Sequence, residues 1–543
     1  MKTSDNFIEH YSEMLDGTYD CIDRIVLNSY FSNLHVPGGV RNWFSILKGK
    51  DKVLDTNQLI RFSGRFSRRI KAFTKSRNIP LIYFKSGERK HEEAVKLIPE
   101  DKSFTGIFAV FVARAPGLLW EVKKFENGSI DIRRKKNLSY VNHYYFQIMD
   151  PEWGHLTIKI NSHPPFNCSI MLNGHEWVER RKQLQKLNIK KEGNCFTFYS
   201  DGKKLSKVAD ALKTKGQLEK VCNRWIYGCL WFGVNFEEQE KTGFKYRYSV
   251  YQVEYSRNLL FRGGTKLDDV FQNIIDLTRQ NLDIKRLKTI FGRKYRPHNR
   301  SFKTSGIKVC IEKPDYNLTV FKIHFGKLTV KLYDKGERTL RVEVVVHNTK
   351  ELKCKRSIEN FSVIVEKLHT IMDNFMNNLK YSHVALIKDD TLKRLTSPSK
   401  KGKKRIAGID FFKTRNISMM ETVLSLSIKP NGYTITDITN IMQEKLGKEY
   451  SNRKACYDLR KLREKKLVKK RKGTRRYIPT KKGTQIIFAV LTILREEIPR
   501  LLILTKKDCL KNKNEYSEKE HLFFNIRENL IELEHLYGIE KAA

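Results

Sequence analysis

Apolar and polar positions along this chain follow two rhythms, and the switches between them mark its elements. Residues 7–15 suggest a short helix, and CIDRIVLNSYF then reads as a strand with Asp20 and Asp23 at its start. A helical repeat from about Asn57 to Ser76 carries Arg61, Arg65, Arg68, Arg69 and Lys71. IPLIYFKS, RKHEEAVKLI and TGIFAVFVAR follow as strand, helix and strand, an alternation that predicts an α/β layer with parallel strands. LLWEVKKFENGSIDIRR predicts a hairpin turning at Asn127-Gly128. HYYFQIMD, HLTIKINS and NCSIMLNG read as three strands, HEWVERRKQLQKL as a helix and NCFTFYSD as a further strand. From Lys203 to about Ile290 the rhythm turns helical, and YSVYQVEYSRNLLF reads as an apolar helix. It carries Glu254, a carboxylate that needs a partner, either an arginine such as Arg257 or a metal. DDVFQNIIDLTRQNL is amphipathic. LTVFKIHF and KLTVKLYDKGERTLRVEVVVHN return to period two, with Lys331, Tyr333, Arg341 and Glu343 in strands beside a turn at Asp334-Lys335-Gly336, and IENFSVIVEKLHTIMDNFMNNL is helical.

The stretch from Tyr433 to about Arg500 has the clearest grammar. A first helix over Ile417–Leu426 is expected before it. Thr436 is placed to cap a helix carrying Ile438, Ile441, Met442 and Leu446, and Gly447 to end it. Ser451 is placed to cap the next helix, where Ala455, Leu459 and Leu462 form one buried stripe. Arg453, Lys454, Tyr457, Arg460 and Lys461 fall on the other faces. Leu467-Val468, a turn at Gly473-Thr474, and Tyr477-Ile478 make a short hairpin with Lys472, Arg475 and Arg476 near its tip. This is the order of a winged helix-turn-helix. A basic helix of this kind fits the major groove, and a basic hairpin fits an adjacent backbone or minor groove. The pattern YDLRKLREKKLVKK…GTRRYIPTKKG resembles the MarR-like winged helices, which implies DNA binding by this module.

Charge widens that reading to the whole chain. The 543 residues carry 105 Lys+Arg against 60 Asp+Glu, a net +45, for which a polyanion is the economical partner. DNA is expected, double-stranded by preference, with RNA as the alternative. The sequence shows no long apolar run and no apolar signal core near the N-terminus, so a cytoplasmic, nucleoid-associated protein without a membrane partner is expected. Nine cysteines without a CxxC pair read as reduced thiols and give no support to a structural zinc site. Such a length implies several cores. The expected fold class is a multidomain α/β protein with mixed sheets, a ribonuclease H-like core among them, and a C-terminal winged helix. The expected division is an α/β domain at 1–117, a mixed-sheet and helical domain at 118–290, a basic linker at 291–307 and a hairpin-helix domain at 308–395. A second basic linker at 396–410, the winged helix at 411–500 and a helical tail at 501–543 complete it.

Candidate chemistry comes from two places. The β-β-β-α-β order after residue 140 is that of the ribonuclease H core, in which acidic residues meet at strand ends. Asp150, Glu179 and Asp201 are the catalytic candidates on that reading, with Asp150 and Asp201 holding Mg2+ or Mn2+ if the chain is an enzyme. Asp23 is a further candidate, weighed against a solvated or Arg24-paired carboxylate. His143, His155, His163 and His175 match no metal-ligand spacing and read as turn or core residues. KLYDKGERTLRVEV resembles a stretch of plasmid and phage replication initiation factors in which a YDK turn precedes an R-x-E strand. The resemblance implies a tyrosine that nicks DNA with metal help, although the His-hydrophobic-His motif of many such nickases is missing here. FGRK, YDKGERTLRVEVVVHNTKEL and YDLRKLREKKL…GTRRY together resemble a large set of bacterial proteins known as uncharacterised sequences, which implies that these domains form one unit. The expected function is a DNA-processing protein of mobile-element or replication type, a metal-dependent nuclease or strand-transfer enzyme if it is catalytic. The alternatives are a non-enzymatic winged-helix regulator with a large sensing or oligomerisation region, and an RNA-binding protein.

Overall fold

The computed structural model describes residues 8, 11–264 (except 86, 128, 136–138, 182–185 and 215), 267, 268, 270, 288–291, 307–335 (except 316 and 317), 337–383, 390–494 (except 402, 403, 428 and 430) and a few positions between 521 and 532. The strands in chain order are β1 (Leu15–Tyr30), β2 (Leu81–Phe84), β3 (Gly106–Gly117), β4 (Trp120–Lys124), β5 (Ile130–Arg134), β6 (Ser139–Asp150), β7 (Gly154–Asn161) and β8 (Cys168–Asn173). β9 (Ile189–Glu192), β10 (Cys195–Tyr199), β11 (Arg247–Phe261), β12 (Lys288–Phe291), β13 (Ile307–Asp315), β14 (Leu318–Phe325), β15 (Leu328–Lys335) and β16 (Thr339–Val346) follow. Twelve of these make one mixed sheet in the order β12-β13-β14-β15-β16-β11-β1-β8-β7-β6-β3-β2. The sheet crosses the expected boundaries near residues 117 and 290, so the expected units at 1–117, 118–290 and 308–395 share one hydrogen-bonded layer.

β1 lies at the middle of that layer, between β8 and β11, antiparallel to both. Alternation explains its two faces. Ile25 and Leu27, with Ile158, Ile160 and Ile170 of the neighbouring strands, are fully buried under a helical layer. That layer includes α1 (Pro37–Lys48), α2 (Thr56–Ser76) and, later in the chain, α6 (Gln217–Leu230). Phe66 of α2 packs on Tyr144 with ring centroids 4.8 Å apart, and Phe232 after α6 stacks on Phe146. The opposite face carries Arg24, Asn28, Thr157, Lys159, Ser169, Met171 and Gln252, all of which solvent reaches. The short α3 (Lys90–Lys96) caps one edge, over a satellite core of Ala94, Phe108, Phe111 and Met149.

Several sequence readings need correction. YSVYQVEYSRNLLF is not helical: it is strand β11, buried along most of its length. The expected parallel pairing holds for β2 and β3 alone among the N-terminal strands, since β1 sits five strands away from β2. The strands of the β-β-β-α-β order exist, and the helix is the short α4 (Gly174–Glu179). The strand after it, β10, pairs with β9 in a separate two-stranded sheet, so the five elements do not build one ribonuclease H-like layer. Helices α5 (Gly202–Asp210) and α7 (Phe236–Lys241) flank α6, as the helical reading from Lys203 expected. The amphipathic run beginning at Asp268 and the basic segment 291–306 fall almost wholly outside the described residues, as does most of the tail helix.

The long α8 (Phe361–His383) packs against β11 and β16 on the helical face and also touches the C-terminal unit. That unit begins at α9 (Asp390–Thr396) and has its own core, built on Leu395, Val423, Tyr433, Ile438, Leu459, Leu462 and Ile487. The expected linker at 396–410 contains a hairpin of β17 (Ser399–Lys401) and β18 (Lys404–Ile406). Next come α10 (Thr414–Ser427), α11 (Ile435–Leu446), α12 (Asn452–Glu464), the hairpin of β19 (Val468–Lys470) and β20 (Tyr477–Pro479), and α13 (Lys481–Thr492). The cap of α11 is Thr434 rather than Thr436: its hydroxyl accepts from the Asp437 N–H while the Asp437 carboxylate accepts from the Thr434 N–H. Gly447 ends α11 at φ 95°, and Ser451 caps α12 as expected. Among the described residues no helix is long and apolar enough to cross a membrane.

Candidate active site and nucleic-acid interface

The three carboxylates expected to be catalytic, Asp150 and Asp201 among them as metal ligands, are each engaged in structure. Asp150, fully buried at the end of β6, accepts from the Glu152 and Trp153 N–H groups through Oδ1, both at 2.8 Å. Its Oδ2 accepts from Arg224 at 2.6 Å and from the Trp225 indole at 2.7 Å. Glu179 pairs with Lys191, which also holds Glu176. Asp201 caps α5, accepting from the Lys203 and Lys204 N–H groups at 2.9 and 3.0 Å. Their oxygens are occupied by a turn, an ion pair and a helix start.

A different set converges where β1, β11, β15 and β16 lie side by side. The register opposes Ser256 to Glu343, Asn258 to Arg341, Lys331 to Glu343 and Tyr333 to Arg341, so these side chains share one face. β1 contributes through a bulge. Ile22 opposes Tyr255 and Arg24 opposes Glu254, which leaves Asp23 as the extra residue and turns it onto the same face. Asp23 is 2% exposed. Its Oδ1 accepts from the Ser256 hydroxyl at 3.0 Å and lies 2.9 Å from His175 Nδ1 and 3.8 Å from the Arg341 guanidinium. Its Oδ2, buried, has no hydrogen-bond partner among the described residues. Asp23 is thus neither solvated nor paired with Arg24.

Arg341 is the frame of the cluster. Only 1% exposed, it donates to the Asn258 amide oxygen at 2.6 Å and to the Asn194 carbonyl at 2.5 Å. Beside it, Glu343 Oε2 accepts from Lys331 at 2.8 Å and from the Tyr333 hydroxyl at 3.3 Å. Glu254 accepts from the Gln252 amide at 2.7 Å. Its expected partner Arg257 points to the other face, where it clasps Asp20 and reaches Asp373 of α8.

The charges sort these acids into two kinds. Burial opposes ionisation of Asp23, but Arg341 and His175 outweigh it and hold the pKa at about 2. Burial and the neighbouring Glu343 carboxylate push Glu254 up to about 7, against the pull of Lys331 and Arg24. Burial, then Glu343, raises the Tyr333 phenol well above its usual range. Burial lowers the pKa of His175 against the pull of the Asp23 carboxylate 2.9 Å away. The site therefore holds an ionised acid, a half-titrated acid near neutrality, and a phenol already bonded to a carboxylate.

Among the described residues no three His, Cys, Asp or Glu side chains form a ready-made metal site. Asp23, Glu254 and Glu343 nevertheless suit a hard divalent cation in kind: all are oxygen donors on one face, and Asp23 has a buried oxygen to spare. The sequence singled out Lys331, Tyr333, Arg341 and Glu343 together. It set aside Asp23 and His175, and it gave no sign of Ser256 or Asn258.

The second candidate surface is the C-terminal unit. Ala455, Leu459 and Leu462 form the buried stripe of α12, joined by Asp458, which accepts from Arg415 at 2.8 Å and from the Tyr450 hydroxyl at 2.7 Å. Arg453, Lys454, Tyr457 and Arg460 are exposed, and the Lys461 ammonium sits 4.9 Å from the centre of the Tyr457 ring. Lys472 and Arg475 project from the hairpin, whereas Arg476 turns inward and donates to the Gly432 carbonyl at 2.9 Å. Comparison with protein families, curated proteins and solved structures gives no match.

Proposed function

We propose that this chain is a DNA-processing protein of replication or mobile-element type, which holds duplex DNA through a C-terminal winged helix and cuts one strand at Tyr333. The observation that carries the reading is the Tyr333 hydroxyl bonded to Glu343 inside a cluster of Asp23, Glu254, Lys331 and Arg341. A phenol paired with a proton acceptor and surrounded by cationic groups suits phosphoryl transfer. The phenolic oxygen attacks a backbone phosphorus and passes its proton to Glu343. The bond from phosphorus to the 3′ oxygen breaks, and that oxygen takes a proton from solvent. The products are a 5′-phosphotyrosine ester and a free 3′ hydroxyl. Lys331 and Arg341 balance the charge that builds on the phosphoryl oxygens. A divalent cation held by Asp23, Glu254 and Glu343 would add Lewis-acid polarisation of the phosphate.

Two further features support the reading. The half-buried polar face of the sheet, with Lys159, Asn28, Ser169 and Arg24, gives a substrate strand a path to the cluster. The order of three helices, hairpin and helix, with its exposed Arg453, Lys454, Arg460, Lys472 and Arg475, has the polarity of a groove-binding winged helix. The test is incubation of the full chain with supercoiled plasmid and labelled single strands in magnesium or manganese. Relaxed plasmid and a detergent-stable protein–DNA adduct are expected, and Tyr333→Phe should abolish both while leaving duplex binding intact. Duplex binding without nicking or adduct under any of these conditions would make the regulator the better reading. Binding confined to RNA would remove both.

A further inference from the structure

The most exposed large apolar side chain among the described residues is Phe412, at 89%. It stands in the turn Asp410–Lys413 that leads into α10, and that turn is fixed rather than loose. The Phe412 N–H donates to Asp410 Oδ1 at 3.0 Å, and the Asn416 amide donates to the Asp410 carbonyl at 2.8 Å. Phe411 packs inward on the core of the unit, so its neighbour is turned out.

The position of the turn gives the exposure a meaning. Arg415, three residues on, bonds the buried Asp458 of α12 at 2.8 Å and the Lys454 carbonyl at 3.3 Å. Lys413 and Asp410 lie close enough to Lys461 to act on its charge. The turn is therefore fastened to the flank of α12, beside Tyr457 and Lys461. Phe412 shares this turn with Lys413, which pairs with Asp410 at 3.4 Å, and the turn lies against Lys461 of the basic helix α12. An aromatic in a basic rim matches a polyanion that carries flat apolar faces, which is the chemistry of a nucleic acid: phosphates for the rim and bases for the ring.

We propose that Phe412 makes a base contact, stacking on or wedging into the DNA held by α12. The proposal rests on the winged-helix reading and assigns it a residue that is not on the recognition helix. A stacking contact and a phosphate contact differ in salt dependence, because only the latter releases counter-ions. The probe is a fluorescein-labelled random-sequence duplex of about four helical turns, titrated with full-length protein at several salt concentrations. Phe412→Ala should weaken binding by about five- to a hundredfold, with the slope of log affinity against log salt unchanged. Phe412→Trp should restore affinity, and its indole emission should fall on DNA addition relative to the wild-type chain. Lys472→Ala with Arg475→Ala is the control that should lower that slope. Wild-type affinity in Phe412→Ala, with the control still weakened, would overturn the wedge and leave the DNA reading standing; Phe412 would then be a protein-contact residue. Failure of the wild-type chain to bind the duplex would overturn both.

Discussion

Glu254 gives the site a measurable pH signature. Its folded-state pKa stands at about 7 against an ordinary 4.5, because burial and Glu343 penalise its anion. A carboxylate raised in this way contributes full stability below pH 4.5, and that contribution is lost as the pH climbs through 7. A shift of this size corresponds to about 3 kcal/mol at most, and solvent that reaches the residue brings the expected value nearer 2 kcal/mol. Glu254→Gln removes the anion and keeps an oxygen for the Gln252 amide. The variant should match the wild type near pH 4.5 and exceed it by about 2 kcal/mol at pH 8. Urea unfolding in the presence of a chelator provides the assay. All six tryptophans lie between Trp43 and Trp231, so their fluorescence reports on the sheet unit. Millimolar magnesium should then raise the wild-type midpoint at pH 8 and leave the variant unmoved, because a bound cation offsets the anion. Parallel stability curves for the two proteins across pH 4.5–8 would refute the coupling between Glu254 and Glu343.

Arg341→Met strands Asp23 in the interior and should cost about 3–5 kcal/mol in the same unfolding assay, with Asp23→Asn on top recovering most of the loss. Asp201→Ala should cost about 1 kcal/mol as a missing helix cap and leave the divalent-ion dependence of the proposed nicking unchanged; a changed dependence would return Asp201 to the proposed site. Lys472→Ala with Arg475→Ala should weaken every duplex alike and reduce the salt slope by about 0.9 for each phosphate that the protein no longer neutralises, whereas Arg453→Ala should relax the preferred sequence selected from a random pool.

Period two makes most of the sheet readable from the residues alone. β3, β6, β7, β8, β14, β15 and β16 all fall where alternating residues place them. β11 carries the same signal, buried and part-exposed residues alternating over much of 248–255, and the helical expectation for YSVYQVEYSRNLLF passed over it. The pairing of Lys331, Tyr333, Arg341 and Glu343 is visible because a tight hairpin fixes register locally. Asp23 is not, since its orientation depends on a bulge set by pairing with residues more than two hundred positions away. Asp150, Glu179 and Asp201 show the converse. A carboxylate at a strand end or helix start has a local use in capping and turn formation, and that use looks the same in sequence as a catalytic one.

The central position of β1 also governs the order in which this protein can assemble. Residues 15–30 leave the ribosome well before either of their partners, at 168–173 and 247–261. At 5–20 residues per second, the wait between completing β1 and completing β11 is roughly 10–50 s. Until β8 is made the apolar Ile22, Ile25, Val26 and Leu27 have no sheet to enter; once β6, β7 and β8 form their meander, β1 can add to β8, but its other edge waits for β11. The long-range pairing of β1 with β11 is therefore a late, slow event, and until it happens the half-made sheet exposes an unpaired strand edge in what becomes its interior. Arrest of synthesis before residue 261 should leave a chain that associates with itself or with chaperones, even though half of the main sheet's strands are already present.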